Sequence, residues 1–337
     1  MWLLRVFMSV KEAVGSCHGD VNEIIAGGAE TMKNLLVSFS PHIRDKSTTS
    51  RIMLDVVIAL VPAFVASIIV FGARAAIVTV VCVGSCVILE FVYQKLMKKP
   101  ITVKDFSACV TGMLLAFNLP VGIPIWQAVF GCIVAIIFVK QLFGGLGKNF
   151  ANPAITARIV MFLAFSANMT TWVKVSDAIS TATPLMLMKR GDFGSLPGIW
   201  NMFIGNHGGS LGETSALLIL LGAVYLLVRR VITWHTPAAF LATVAALTAV
   251  LGRPPEYHLL AGGLFLGAFF MATDYPTTPQ TNSGRIVFGV GCGLLTVLIR
   301  LFGNYPEGVA FSIFFMNMVT PFIDKLTMRK ALGGLNK

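Results

Sequence analysis

The sequence runs to 337 residues, 56% of them hydrophobic and 12% charged, with a mean hydropathy of +0.80. Soluble domains carry about 25% charged residues, so this composition excludes an ordinary water-soluble enzyme. The formal charge of +11 gathers between the apolar runs, which directs it at an anionic membrane face and away from nucleic acid.

In chain order, residues 1–31 lack the form of a secretory signal peptide, because Arg5, Lys11 and Glu12 interrupt the apolar run and no cleavage pattern follows. Gly27-Gly28-Ala29-Glu30 fits translation of a purine-rich ribosome-binding sequence, so Met32 is the expected native start. Residues 1–50 are expected to form a cytoplasmic amino-terminal segment. Ten apolar segments follow, at 51–71, 75–94, 106–119, 123–142, 153–168, 212–232, 235–252, 257–272, 284–302 and 307–325. About 20 apolar residues span a bilayer as a helix. The expected fold is therefore an all-α polytopic membrane protein with about ten transmembrane helices.

Lys and Arg between the segments set the orientation. With the amino terminus cytoplasmic, that face collects seventeen of them, among them Lys95, Lys98, Lys99, Lys104, Lys140, Lys148, Arg229 and Arg285. The opposite face holds six: Arg74, Lys174, Lys189, Arg190, Arg253 and Arg300. Both termini, including the tail 327–337, are thus expected in the cytoplasm, and loop 169–211 outside it. That loop separates 51–168 from 212–326, five spans each, and an odd number makes the halves inverted repeats. TGMLLAFNLPVGIP (111–124) is matched in outline by GGLFLGAFFMATDYPTTP (262–279). Each is a short span with a Pro-rich break, expected near the midplane, where freed backbone groups must line a buried site.

The loop contains DAISTATPLMLMKRG (177–191). Thr183 at the N-cap, Pro184 at the first helical position and Gly191 beyond the last describe a short capped helix. The same start would also suit a phosphate esterified to the Thr183 hydroxyl, with Lys189 and Arg190 nearby. In GGLGKNFANPA (144–154), Gly145, Lys148, Asn149 and Asn152 are candidates to line a cofactor or ion cavity; a tight turn with helix packing is the plainer reading. Ionisable groups within spans are costly and often functional, which makes Glu90, Asp55, Asp274 and Asp324 candidates for an ion or electron pathway. Arg158 is expected to pair with an acid or serve a helix interface. The six cysteines read as small buried hydrophobes, and neither they nor the histidines have a metal-binding spacing.

Asp177-x-x-Ser180-x-Ala182-Thr183 resembles the motif read by the flavin transferase that joins FMN to a threonine through a phosphodiester, with Thr181 where glycine is usual. SFSPHIRDKSTTSRIMLDVVIALVPA (38–63), LLAFNLPVGIPIWQA (114–128), GGLGKNFANPA and FMATDYPTTP (270–279) resemble the family that joins the D-type membrane subunit of Rnf complexes to the B-type subunit of the sodium-translocating NADH:quinone reductase. The resemblance covers about 32–330. It implies an electron-transport subunit of an ion-translocating ferredoxin–NAD oxidoreductase in the bacterial inner membrane, with covalent FMN on Thr183. Asp177, Ser180 and Ala182 would then be the transferase's recognition residues. It also implies an extracytoplasmic FMN-carrying partner, iron–sulfur membrane subunits, Na⁺ or H⁺ movement, and room for a second, non-covalent flavin such as riboflavin. The rival expectation is a urea-channel-like solute channel or transporter without a redox role.

Overall fold

The computed structural model describes residues 48–172, 183–192, 194–205, 208–213, 215–303 and 307–328. Met32, both termini, Asp177, Ser180 and Ala182 lie outside them. Every regular element among the described residues is helical. Four helices are long and apolar enough to cross a membrane: α1 (Thr49–Phe71), α2 (Ala73–Leu96), and the two that close the described chain.

α1 starts where the Thr48 hydroxyl accepts from Arg51 N and stops at Gly72, whose φ of 73° lets α2 begin at the next residue. α3 (Ser107–Phe117) begins at the Asp105 carboxylate, which accepts from Ser107 N at 3.0 Å and from its hydroxyl at 2.6 Å. It ends at the break 118–124. α4 (Ile125–Ile133) follows Pro124 and widens into a π-helical stretch, Val134–Gln141. α5 (Pro153–Ala164) is capped by the Asn152 side chain, which accepts from Ala154 N at 3.0 Å, with Pro153 at its first position.

Short helices α6 (Ser166–Met169), α7 (Pro184–Arg190) and α8 (Ile199–Ile204) lead to α9 (Ala216–Val228) and α10 (His235–Val250). The interrupted segment comes next: α11 (Pro255–Leu260), α12 (Leu264–Leu266) and a second π stretch, Gly267–Met271. α13 (Asn282–Phe302) and α14 (Val309–Thr327) complete the four long helices.

The burial pattern is that of a protein in lipid. On α1 the exposed face is Leu54, Ile58, Val61, Val65 and Ile69, while Asp55, Ala59, Ala63 and Ser67 point inward. α13 repeats this, with Ile286, Val290, Leu294 and Leu298 outside and Gly289, Cys292, Gly293 and Thr296 inside. Large apolar chains outside and small or polar ones at helix contacts is the order expected where the solvent is hydrocarbon. The chain is a multi-pass membrane protein.

Glycines set the tightest crossings. A methyl group on Gly222 would collide with the Ala59 carbonyl where α9 meets α1, and one on Gly289 with Thr236 and Ala239 where α13 meets α10. Gly112 of α3 lies equally close to the backbone of Cys82 and Val83 in α2.

Candidate functional site

Two places gather polar chemistry: the interior where the broken segments meet, and the flank of α7.

In the interior, the ends of α3 and of the second π stretch touch. Asn118 Nδ2 lies 3.7 Å from Met271 Sδ and donates to Leu114 O at 2.6 Å. Asn152 Nδ2 reaches Met271 O and Asp274 Oδ2, both at 3.5 Å. Asp274 also takes the Thr277 hydroxyl at 3.4 Å. Side chains close the backbone groups freed at the breaks: Arg74 donates to Val121 O at 3.0 Å and Ile123 O at 3.3 Å, and Arg285 to Pro279 O at 3.1 Å. Such repayment is what allows irregular backbone at membrane depth.

Glu90 is buried and salt-bridged to Lys140 at 2.9 Å. Lys140 Nζ also donates to Ser107 Oγ at 2.6 Å, and Gln141 Nε2 to Glu90 Oε1 at 2.8 Å. Lys140 therefore departs from its expected place among the loop cations. It is 1% exposed, carried inward by the π stretch. A small cavity of about 40 Å³, room for one or two waters, is lined by Lys140, Ser107, Asn149, Asn152 and Asp274. Asn149 Oδ1 is buried with no hydrogen-bond partner. On the other side of Gln141, a wider cavity of about 520 Å³ is lined by Gln94, Lys99, Thr102, Lys104, Gly144 and Gly145. The polar groups thus run from one cavity through the Glu90–Lys140 pair to the other.

Of the remaining sequence candidates, Lys148 is exposed and lines neither cavity. Asp55 ties α1 to α9 by accepting from the Tyr225 hydroxyl at 3.0 Å and pairing with Arg229 at 3.1 Å. Asp324 accepts from Gln280 N at 2.9 Å. Both acids are structural ties near helix ends, away from the interior cluster. Arg158 does pair with acids: it contacts Glu307, lies 3.9 Å from Glu213, and donates to Asn118 at 2.6 Å. Glu213, Glu307 and Lys140 escaped sequence reasoning. A lysine ending the apolar run 125–139 was the available signal for Lys140.

Thr183 is buried, 6% exposed, and caps α7 as expected: its hydroxyl oxygen accepts from Met186 N at 3.3 Å, Pro184 is the first helical residue, and Gly191 closes the helix with φ 79°. α7 packs through Leu185 and Met188 onto Met202 and Ala261. A cavity of about 60 Å³ opens on its flank, lined by Leu185, Met188, Lys189, Arg253, His258, Arg300 and Leu301.

A lipid-facing helical bundle whose interior holds a continuous polar cluster, with broken helices meeting at it, is the build of a membrane protein that handles charge across the bilayer. The chain belongs to the NQR2, RnfD, RnfE family, which it matches over residues 36–333. It is 48% identical over 304 residues to the D-type subunit of the Na⁺-translocating ferredoxin:NAD⁺ oxidoreductase complex of Acetobacterium woodii, covering 89% of this chain and 96% of that one. It is 42% identical over 325 residues to the proton-translocating counterpart of Clostridium ljungdahlii, covering 90% and 98%. With the D-type subunit of the ion-translocating oxidoreductase complex of Stutzerimonas stutzeri it shares 38% over 333 residues, covering 86% and 93%.

Proposed function

We propose that this chain is the flavin-carrying membrane subunit of an ion-translocating ferredoxin:NAD⁺ oxidoreductase complex, working in the bacterial inner membrane beside an extracytoplasmic FMN-carrying subunit and iron–sulfur subunits. The observation that carries the reading is near full-length similarity to relatives named as one and the same subunit of such complexes. Ten spans in two inverted halves, 51–168 and 212–326, with both termini cytoplasmic, is the architecture that goes with it. Its support is that the breaks after α3 and after residue 271, paired by their sequence outline, meet at Asn118 and Met271.

The expected attachment residue is Thr183, at the start of a short helix with cationic side chains on its flank. The cap uses one lone pair of the hydroxyl oxygen, and cationic side chains line the cavity beside the same helix. FMN bound there would supply electron transfer; the chain's own part is to hold and tune it. Thr183 is buried, so α7 must lift from its bed, or be modified before docking, for a transferase to reach the hydroxyl. In the interior, the Glu90–Lys140 pair and Asp274 offer exchangeable polar partners for Na⁺ or H⁺ between the two cavities. Asn149 and Asn152 line the smaller cavity and Gly145 the wider one, and of the two only the wider one has the volume for a second, non-covalent flavin such as riboflavin.

Peptide mass spectrometry after co-expression with a flavin transferase tests the assignment. Wild type and Thr183→Ser should carry an FMN-sized adduct on the peptide containing STATPL. Thr183→Asn should carry none while keeping thermal stability, because asparagine preserves the cap acceptor. An unmodified Thr183, under conditions that modify a partner flavoprotein, would turn the reading to a solute channel.

A further inference from the structure

The cavity beside α7 has a charge balance that helix packing does not explain. Arg300, 4% exposed, enters from the last turn of α13 and donates to His258 O at 2.5 Å and Ala261 O at 2.9 Å. Those bonds pin α11 and the turn after it, and they account for the two terminal nitrogens. Its Nε has no partner. His258 is equally buried, and its Nδ1 has no partner either. Two orphaned ring and guanidinium nitrogens at one buried spot leave donors with nothing to receive them.

Lys189 and Arg253 line the same cavity and are exposed. Lys189 donates to the Gly303 carbonyl, and Arg253 has no ion-pair partner among the described residues. No carboxylate among the described residues lines the cavity. The nearby acids Glu213 and Glu307 attract Arg300 but also serve Arg158, so two acids face two buried arginines and cancel. Lys189 and Arg253 remain as a surplus of two positive charges. Their order, two cations outside and two unfilled nitrogens within, fits a small oxyanion held in from the mouth.

We propose that Lys189, Arg253, His258 and Arg300 form a phosphate-binding site on the flank of the helix that begins at Thr183. Arg300 Nε and the Nδ1–H tautomer of His258 donate to the inner oxygens, and Lys189 and Arg253 neutralise the outer ones. Leu185, two residues after Thr183, lines the cavity, and Lys189 lies about 9 Å along the helix axis from the hydroxyl. Two sources could supply the group: free phosphate from the aqueous phase, or the headgroup of an anionic lipid.

The test uses the full chain, purified in a non-ionic detergent from cells lacking a flavin transferase. Its thermal midpoint is read with inorganic phosphate and with chloride at matched ionic strength. Phosphate should raise it by about 2 °C or more at ten times its Kd. Lys189→Gln with Arg253→Gln should abolish that rise, read against the double variant's own midpoint in chloride. Lys104→Gln should leave the rise intact. Equal stabilisation by chloride, or a rise that survives the double substitution, would overturn the site.

Two further arms identify the occupant. If the response persists alike in nanodiscs of phosphatidylcholine and of phosphatidylglycerol, free phosphate fills the site. If nanodiscs of phosphatidylglycerol, but not of phosphatidylcholine, suppress the response of the unmodified chain, a lipid headgroup does. Neither arm reads the state of Thr183, so this proposal and the flavin assignment fail separately.

Discussion

Glu90 and Lys140 lie 50 residues apart in sequence and 2.9 Å apart in space. Each is 1% exposed, so neither charge can be fully hydrated if its partner is removed. Losing one member of a buried pair typically costs about 3–5 kcal/mol, whereas replacing both by uncharged groups of similar volume is far milder. Lys140→Met should therefore lower the detergent-phase thermal midpoint sharply, and Glu90→Gln likewise, because Lys140 then keeps hydrogen-bond acceptors but no counter-charge. The double substitution should recover most of the loss. A double variant as damaged as the two singles combined would show that the pair is not a self-neutralising unit. The residues themselves show what could be read in advance. Thr183 was legible as a cap because a cap depends on three or four neighbours in sequence. The partners of Arg158 were not, since Glu307 lies 149 residues away and no local rule reaches that far.

At the scale of the element, helices fall on all ten apolar segments, and the long ones keep their expected bounds within a few residues. The deviations occur where hydropathy carries no information about hydrogen-bond register. Val134–Gln141 and Gly267–Met271 are π-helical, and 257–272 divides at Gly262 and Gly263, both with positive φ. Such irregular turns collect at functional sites, and here they supply Lys140, Gln141 and Met271 to the interior cluster. The glycine-mediated crossings belong to this scale as well. Gly222 meets the Ala59 backbone, which cannot move aside as a flexible side chain can. Gly222→Ala should push α9 off α1 at a cost of about 1–3 kcal/mol and strain the Asp55–Arg229 tie between the same helices. Gly84 has nothing within 4 Å of an added methyl, so Gly84→Ala should be neutral or slightly stabilising. Thermal midpoints of the two variants, read side by side, check the contrast. Equal effects would show that the crossing yields more easily than its geometry implies.

For the whole molecule, sidedness can be argued from which residues share a cavity. Counting Lys and Arg places Lys189, Arg253 and Arg300 on the extracytoplasmic face although four expected spans separate the first from the last. The structure gathers all three around one cavity. It likewise gathers Lys99, Lys104 and Gly144, all assigned to the cytoplasmic face, around another. Arg74 meets Val121, Lys99 meets Gln141, and Arg229 meets Asp55, each pair falling on one expected side. Lys140 and Arg300 turn out to be interior groups, yet dropping both leaves the charge asymmetry intact. By the expected spans, three crossings separate Lys99 from Lys189. With Cys17 and Cys109 replaced by serine to lower the background, Lys99→Cys and Lys189→Cys should then react from opposite faces. In intact cells stripped of their outer membrane, an impermeant maleimide should label Lys189→Cys at once and Lys99→Cys only after permeabilisation. Arg253→Cys should follow Lys189→Cys, because they line one cavity. Lys99→Cys labelling together with Lys189→Cys in intact cells would remove the odd crossing number, and with it the expected inversion of the two halves.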